Sequence, residues 1–226
     1  MSASTAAPRA TLDLRIRVWG MGANNHPFNQ NAIAQNASVT GACISGLEQQ
    51  LKVGDVVGVQ YDTKKARCKV IWVMEAEGLK KVQVGVQLLV DQECPWISQL
   101  PPEMRSRLPG PFHDNRRRFQ RHKISFPLEF RDARVNTPMR VSATDISGNG
   151  CYVETHMSFP ISTVLRVDFW IDQEHVTTSA AVRTRDAGVG MGIEFTGLPE
   201  DTKKRLQAHL DKLDPGLSRP APKTSE

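Results

Sequence analysis

Two stretches of this chain, 109 residues apart, follow the same plan. Asn36, Ser38 and Gly41 stand at that offset from Asp145, Ser147 and Gly150, and so does Val56 from Leu165. Further on, GVQL (85–88) precedes GIEF (192–195) by 107 residues. An offset held nearly constant through four elements is the mark of an internal duplication. A chain of 226 residues built this way resolves into two small units of like architecture, each with its own core.

The second unit reads as β-structure. Ile124, Phe126, Leu128 and Phe130 alternate with Lys123, Ser125, Glu129 and Arg131, the period of a half-buried strand. Pro127 cannot donate to a ladder, which places it at an edge or a bulge. Further strands are expected at Met139–Thr144, at CYVET (151–155), at Leu165–Ile171, at Val176–Thr184 and at Met191–Phe195, with DISGNG (145–150) a tight turn between the second and third. Pro199 opens a helix whose Leu206, Leu210 and Leu213 share one face, and Pro215-Gly216 ends it. The first unit shows Leu12–Val18, NASVTG (36–41) leading into Ala42–Ile44, then VVGVQY (56–61), ARCKVIWV (66–73) and VQVGVQLL (82–89). The expected fold is mainly β: two small six-stranded antiparallel β-barrels, the second closed by a C-terminal helix. The expected boundaries are 11–92 for the first domain, 93–115 for a proline-rich linker with one helical turn near Pro102–Leu108, 116–213 for the second domain and 214–226 for a disordered tail.

Charge and cysteine usage narrow the function. The net charge is +5, and Arg116, Arg117, Arg118, Arg121 and Lys123 supply that excess within eight residues that hold no acid. Such a cluster fits a phosphate-bearing partner. Cys43, Cys68, Cys94 and Cys151 show neither CxxC nor metal spacing with histidine, so they read as reduced, buried thiols and no metal is expected. The opening MSASTAAPRA is no secretory leader, and no apolar run is long enough to span a membrane, so a cytoplasmic location is expected. No HExxH, Walker loop, dinucleotide fingerprint or supported Ser/His/Asp order is present, and the six histidines, His122 among them, are scattered. The chain is therefore not expected to be an enzyme.

An arginine run before the first strand and an Asp-x-Ser-x-x-Gly turn after the second are each weak alone. Together they resemble the PilZ family of cyclic di-GMP receptors, whose signature is Arg-x-x-x-Arg followed downstream by Asp/Asn-x-Ser-x-x-Gly. Arg117 and Arg121 fit the first element; Asp145, Ser147 and Gly150 fit the second. GVGMGIEF (188–195) and the closing helix also look like the end of such a domain. The resemblance covers roughly 114–213 with both elements intact, and extends weakly to 11–92, which looks like a degenerate copy.

The resemblance implies a site for cyclic di-GMP made of Arg116, Arg117, Arg121, Asp145, Ser147, Gly148 and Gly150, with no other cofactor. The chemistry suits the ligand. A guanidinium pairs bidentately with phosphate or with guanine O6 and N7, and stacks on a base face; an ammonium does none of the planar work. A carboxylate such as Asp145 accepts from guanine N1–H and N2–H₂, while Ser147 donates or accepts. Gly148 and Gly150 allow close backbone approach. The first unit keeps Asn36, Ser38 and Gly41 but has only Arg9 before its first strand, so a second nucleotide site is not expected there. Arg15 and Arg17 read as a solvated strand face, and the unit as a partner surface. Ordering of the arginine segment on binding is expected to reorient the two domains, and a protein partner of unknown identity is implied. The alternatives are a nucleic-acid-binding module, against which exposed aromatics are few beyond Tyr152 and Trp170, and a protein-interaction module using the basic segment and barrel surface.

Overall fold

The computed structural model describes residues 8–75, 81–90, 92–106, 118–132 and 137–214. Residues 107–115 of the expected linker and all of the expected tail beyond Asp214 lie outside these, as do Arg116 and Arg117.

The chain divides into two compact units. In the first, β1 (Leu14–Met21), β2 (Pro27–Gln35), β3 (Gly41–Leu47), β4 (Val56–Tyr61), β5 (Lys64–Glu75) and β6 (Val82–Leu88) close a barrel in the order β1-β2-β3-β6-β5-β4, followed by a short helix α1 (Pro102–Arg105). In the second, β7 (Phe126–Asp132), β8 (Met139–Ser147), β9 (Gly150–Glu154), β10 (Val164–Ile171), β11 (Glu174–Asp186) and β12 (Gly190–Phe195) close another, with helix α2 (Glu200–Leu213) after it. Read from β7, its order is β7-β8-β9-β12-β11-β10, the same cycle as in the first barrel. The repeat in sequence is thus a repeat in topology, and the fold is mainly β with two closed six-stranded antiparallel barrels.

Each barrel fills with the inward residues of its alternating strands. Ile16, Val18, Ile44, Val57, Val59, Val70 and Val84 are buried in the first; Phe130, Phe169 and Phe195 anchor the second. Burying one such phenylalanine contributes roughly 2–3 kcal/mol. Strand β2 was not among the strands expected. Its sequence, PFNQNAIAQ, is rich in amide side chains, and the inward positions are held by Phe28, Ala32 and Ala34, whose small alanines leave little hydrophobic signal. The segment after β6 also joins the first core, through buried Trp96, Leu100 and Met104.

Local features follow from residue type. At Pro127, β7 pairs with β8 (Pro127 opposite Ser142), while the β10 register begins only at Glu129, so the missing N–H falls where the strand has one neighbour. Bulky aromatics on the outer walls lie flat over strand glycines: a Cβ on Gly58 would strike the Trp19 ring at 2.1 Å, and one on Gly190 would meet Tyr152 at 2.7 Å. Helix α2 begins just after Pro199 and buries Leu206 and Leu210. Leu213, expected on the same face, is exposed instead, because the helix runs past the end of the core there. All four cysteines are buried free thiols. Desolvation raises every one of them, Cys94 to about 12. No helix among the described residues is long and apolar enough to cross a membrane.

Candidate functional site

The Asp-x-Ser-x-x-Gly element is more strand than turn. Expected as a six-residue turn, it is split: Asp145, Ile146 and Ser147 end β8, Gly150 begins β9, and only Gly148 and Asn149 form the loop. Ser147 holds that hairpin. Its Oγ donates to the Gly150 carbonyl at 3.4 Å and accepts from the Asn149 N–H at 3.4 Å. Gly150 sits against β12, where a Cβ would come within 2.2 Å of the Ile193 carbonyl oxygen. Gly148 is squeezed in the same way: a Cβ there would stand 3.2 Å from the Phe119 ring and 2.7 Å from the Lys203 carbonyl oxygen. Its N–H donates to Gln207 Oε1 at 3.0 Å. Both glycines are thus required by the protein's own packing, whatever else approaches them.

The arginine segment reaches the same place. His122 and Ile146 exchange backbone hydrogen bonds of 2.8 and 3.0 Å, which lays the segment alongside the end of β8. Arg121, next to His122, brings its Nη1 to 3.5 Å from Asp145 Oδ2. Arg118 pairs with Glu200 of α2 at 2.8 Å between exposed groups, and its guanidinium lies 5.6 Å from the Phe119 ring centre. Of the expected site residues, Arg121, Asp145, Ser147, Gly148 and Gly150 come together at one end of the second barrel; Arg116 and Arg117 lie outside the described residues.

Asp145 is a buried carboxylate with one acceptor left unmet among the described residues. It is 6% exposed, and its second oxygen, Oδ1, is buried with no hydrogen-bond partner among the described residues. A buried acceptor left unsatisfied costs about 1–3 kcal/mol. Such a group, beside an arginine that is 45% exposed on its side chain, is a ready acceptor for an incoming planar donor.

His122 is the residue that sequence reasoning passed over. It is 1% exposed, with Nε2 2.8 Å from Asp211 Oδ1 and Nδ1 3.3 Å from Asp214 Oδ2. Gln207 Nε2 stands 3.0 Å from its Nε2. Gln207 therefore touches both the arginine segment, through His122, and the loop, through Gly148, so α2 clasps the two halves of the site. The partners are 85 to 92 residues away in sequence, a separation that no local pattern signals. Tyr152, expected as an exposed aromatic, is buried against Gly190, which leaves Trp170, 58% exposed, as the prominent aromatic on this barrel's surface.

Residues 115–212 match the family profile described as PilZ domain. No curated protein matches the chain. Similar solved structures include the Bacillus subtilis inhibitor of motility (MotI/DgrA), 14% identical, with 91% of this chain and 98% of that one covered at a TM-score of 0.38. Escherichia coli YcgR in complex with c-di-GMP is 14% identical over 90% of this chain and 84% of that one, TM-score 0.40. Borreliella burgdorferi PlzA in complex with c-di-GMP is 11% identical over 93% and 92%, TM-score 0.34.

Proposed function

Residues 115–212 of this chain are a PilZ domain, and on that premise we propose that the protein is a cyclic di-GMP receptor whose site is the arginine segment together with the β8–β9 hairpin. The observation that carries this reading is Asp145: a buried carboxylate with one oxygen on Arg121 and the other without a partner among the described residues. The N1–H and N2–H₂ groups of a guanine present two donors in one plane, the complement of such a carboxylate. Arg121, half exposed, would turn its guanidinium to a phosphate or to guanine O6 and N7. Arg117, four residues earlier, would supply the second planar donor set, and Arg116 a further charge. Ser147, Gly148 and Gly150 would act by holding the hairpin in the shape that presents Asp145.

Asp145 Oδ1 is buried and Arg121 lies on the other oxygen, so the site would have to open locally to admit the ligand; the arginine segment is the part that would move, and binding would then order it over the ligand. Since the segment joins the two domains (11–92 and 116–213), its ordering would change their relative orientation and the surface offered to a protein partner. The role is that of a cytoplasmic receptor rather than a catalyst. Small-angle scattering with and without saturating ligand tests the reorientation; superimposable profiles would remove it.

Calorimetric titration tests the site. Wild-type protein is expected to bind cyclic di-GMP with a Kd on the order of micromolar or tighter, worth about 8 kcal/mol. Arg121→Ala and Arg117→Ala should each weaken binding by roughly tenfold or more. Absence of heat from wild-type protein at tens of micromolar would defeat the receptor reading, and normal binding by the alanine variants would defeat the site.

A further inference from the structure

The outer wall of the first barrel carries a basic groove. Two rows of side chains cross its strands: Gln60 of β4, Arg17 of β1 and Asn31 of β2 are register neighbours, and beside them run Arg15 of β1, Ile33 of β2 and Ser45 of β3. With Asp62 and Lys81 at its rim, these residues line a concavity of about 560 Å³. Arg17 donates to the Asn29 amide oxygen at 2.7 Å. Among the described residues neither Arg15, Arg17 nor Lys81 has a carboxylate partner, and Asp62 is the single acid in the lining. The alternation that placed Arg15 and Arg17 on one strand face thus produces a built concavity with three cations that have no carboxylate partner among the described residues, rather than a uniformly solvated wall.

The lining selects among anions. It contains no aromatic side chain, so it lacks the stacking platform that single-stranded nucleic acid uses. It does contain Asn31, Gln60 and Ser45, which both donate and accept and therefore suit a peptide backbone. Between the arginines' row and Ser45 lies Ile33, 40% exposed, an apolar contact on the groove floor. Arg15 and Arg17, two residues apart on a strand, project at a spacing of about 6.7 Å, the repeat of alternate side chains in any extended chain.

We infer that this groove docks an extended acidic segment of a protein partner, with carboxylates at alternate positions meeting Arg15 and Arg17 and an apolar side chain of the same face, two residues further along, resting on Ile33. The docking stands independently of cyclic di-GMP binding, since its residues all belong to the first unit.

The test is fluorescence anisotropy of the full-length protein with a fluorescein-labelled octapeptide whose alternate positions, which share one face of an extended chain, carry Glu, Glu, Val and Glu, with Ser between them. Saturable binding that weakens as salt rises is expected. Arg15→Glu with Arg17→Glu should weaken it by at least about tenfold, while Lys69→Glu, on the outer face of β5 away from the groove, should leave it within about twofold. Arg15→Gln with Arg17→Gln serves the same purpose if charge reversal unfolds the barrel. The inference is overturned if the peptide does not bind at about 1 mM, if the double variant binds like wild type, or if an oligo-dT strand or phosphatidylserine vesicles bind more tightly than the peptide through the same arginines. Peptide binding without cyclic di-GMP binding would uphold this surface and remove the receptor function; the reverse would do the opposite.

Discussion

The two barrels make the same hairpin and put it to different uses. In the first, Ser38 Oγ donates to the Gly41 carbonyl at 3.2 Å and accepts from the Thr40 N–H at 3.2 Å; in the second, Ser147 makes the same two bonds around Gly150. A Cβ on Gly41 would stand 2.2 Å from the Val86 carbonyl oxygen, as one on Gly150 would from that of Ile193. Serine and glycine are therefore architecture in both copies. What differs is the residue two before the serine. Asn36 is exposed, with a left-handed φ of 46°, whereas Asp145 is a buried strand residue aimed at Arg121. The cover differs as well: Trp96 Nε1 donates to the Ser38 carbonyl at 2.9 Å in the first barrel, and Gln207 of α2 accepts from Gly148 in the second. A signature can thus mix residues that build a frame with residues that do its work, and a copy lacking the work separates them.

That separation can be broken experimentally. The largest effect is expected from Gly41→Ala and Gly150→Ala, each of which drives a methyl into a sheet carbonyl; about 3 kcal/mol should be lost in each barrel by denaturant unfolding. A tolerated alanine at either position would end the equivalence of the two frames. Next comes Asp145→Ala, expected to weaken cyclic di-GMP binding by about 2 kcal/mol, roughly thirtyfold in calorimetry, while Asn36→Ala leaves the affinity unchanged. Equal losses from both would show that the frame, not the carboxylate, governs binding. Ser38→Ala and Ser147→Ala should each lower stability by about 1 kcal/mol, seen as matched shifts in thermal unfolding.

The smallest contrast concerns alkaline pH. Burial raises the thiols of Cys43, Cys68, Cys94 and Cys151 above their ordinary value of 9.0. A thiol that stays neutral when folded but ionises when unfolded contributes stability below pH 9, lost as pH rises from there through the raised value, about 12 for Cys94. The first barrel holds three of these thiols and the second one, so the first should lose stability more steeply above pH 9 in pH-dependent denaturation.

Much of this was legible in the sequence because β-structure with one wet face writes itself as alternation. The strands around Phe126–Phe130 and Leu165–Ile171, and the duplicated hairpin, are of that kind. Strand β2 escaped because alanine buries without looking hydrophobic. Asp145 was named for the site, but its burial was not visible: DISGNG is built of turn-forming residues, and only the β8–β9 register shows that the strand continues to Ser147. His122 was unreadable in principle, since its partners come from a helix that only the tertiary fold brings near.

The placement of the tryptophans has a practical consequence. Trp19 and Trp96 are buried in the first barrel, while the second barrel's Trp170 already faces water. Intrinsic emission is thus a reporter for one half of the chain: a red shift on unfolding would record the loss of the first barrel, and the second could come apart with little spectral trace. Any melting curve read from tryptophan emission is accordingly a measurement on the N-terminal half, and the half that carries the arginine segment needs a probe of its own.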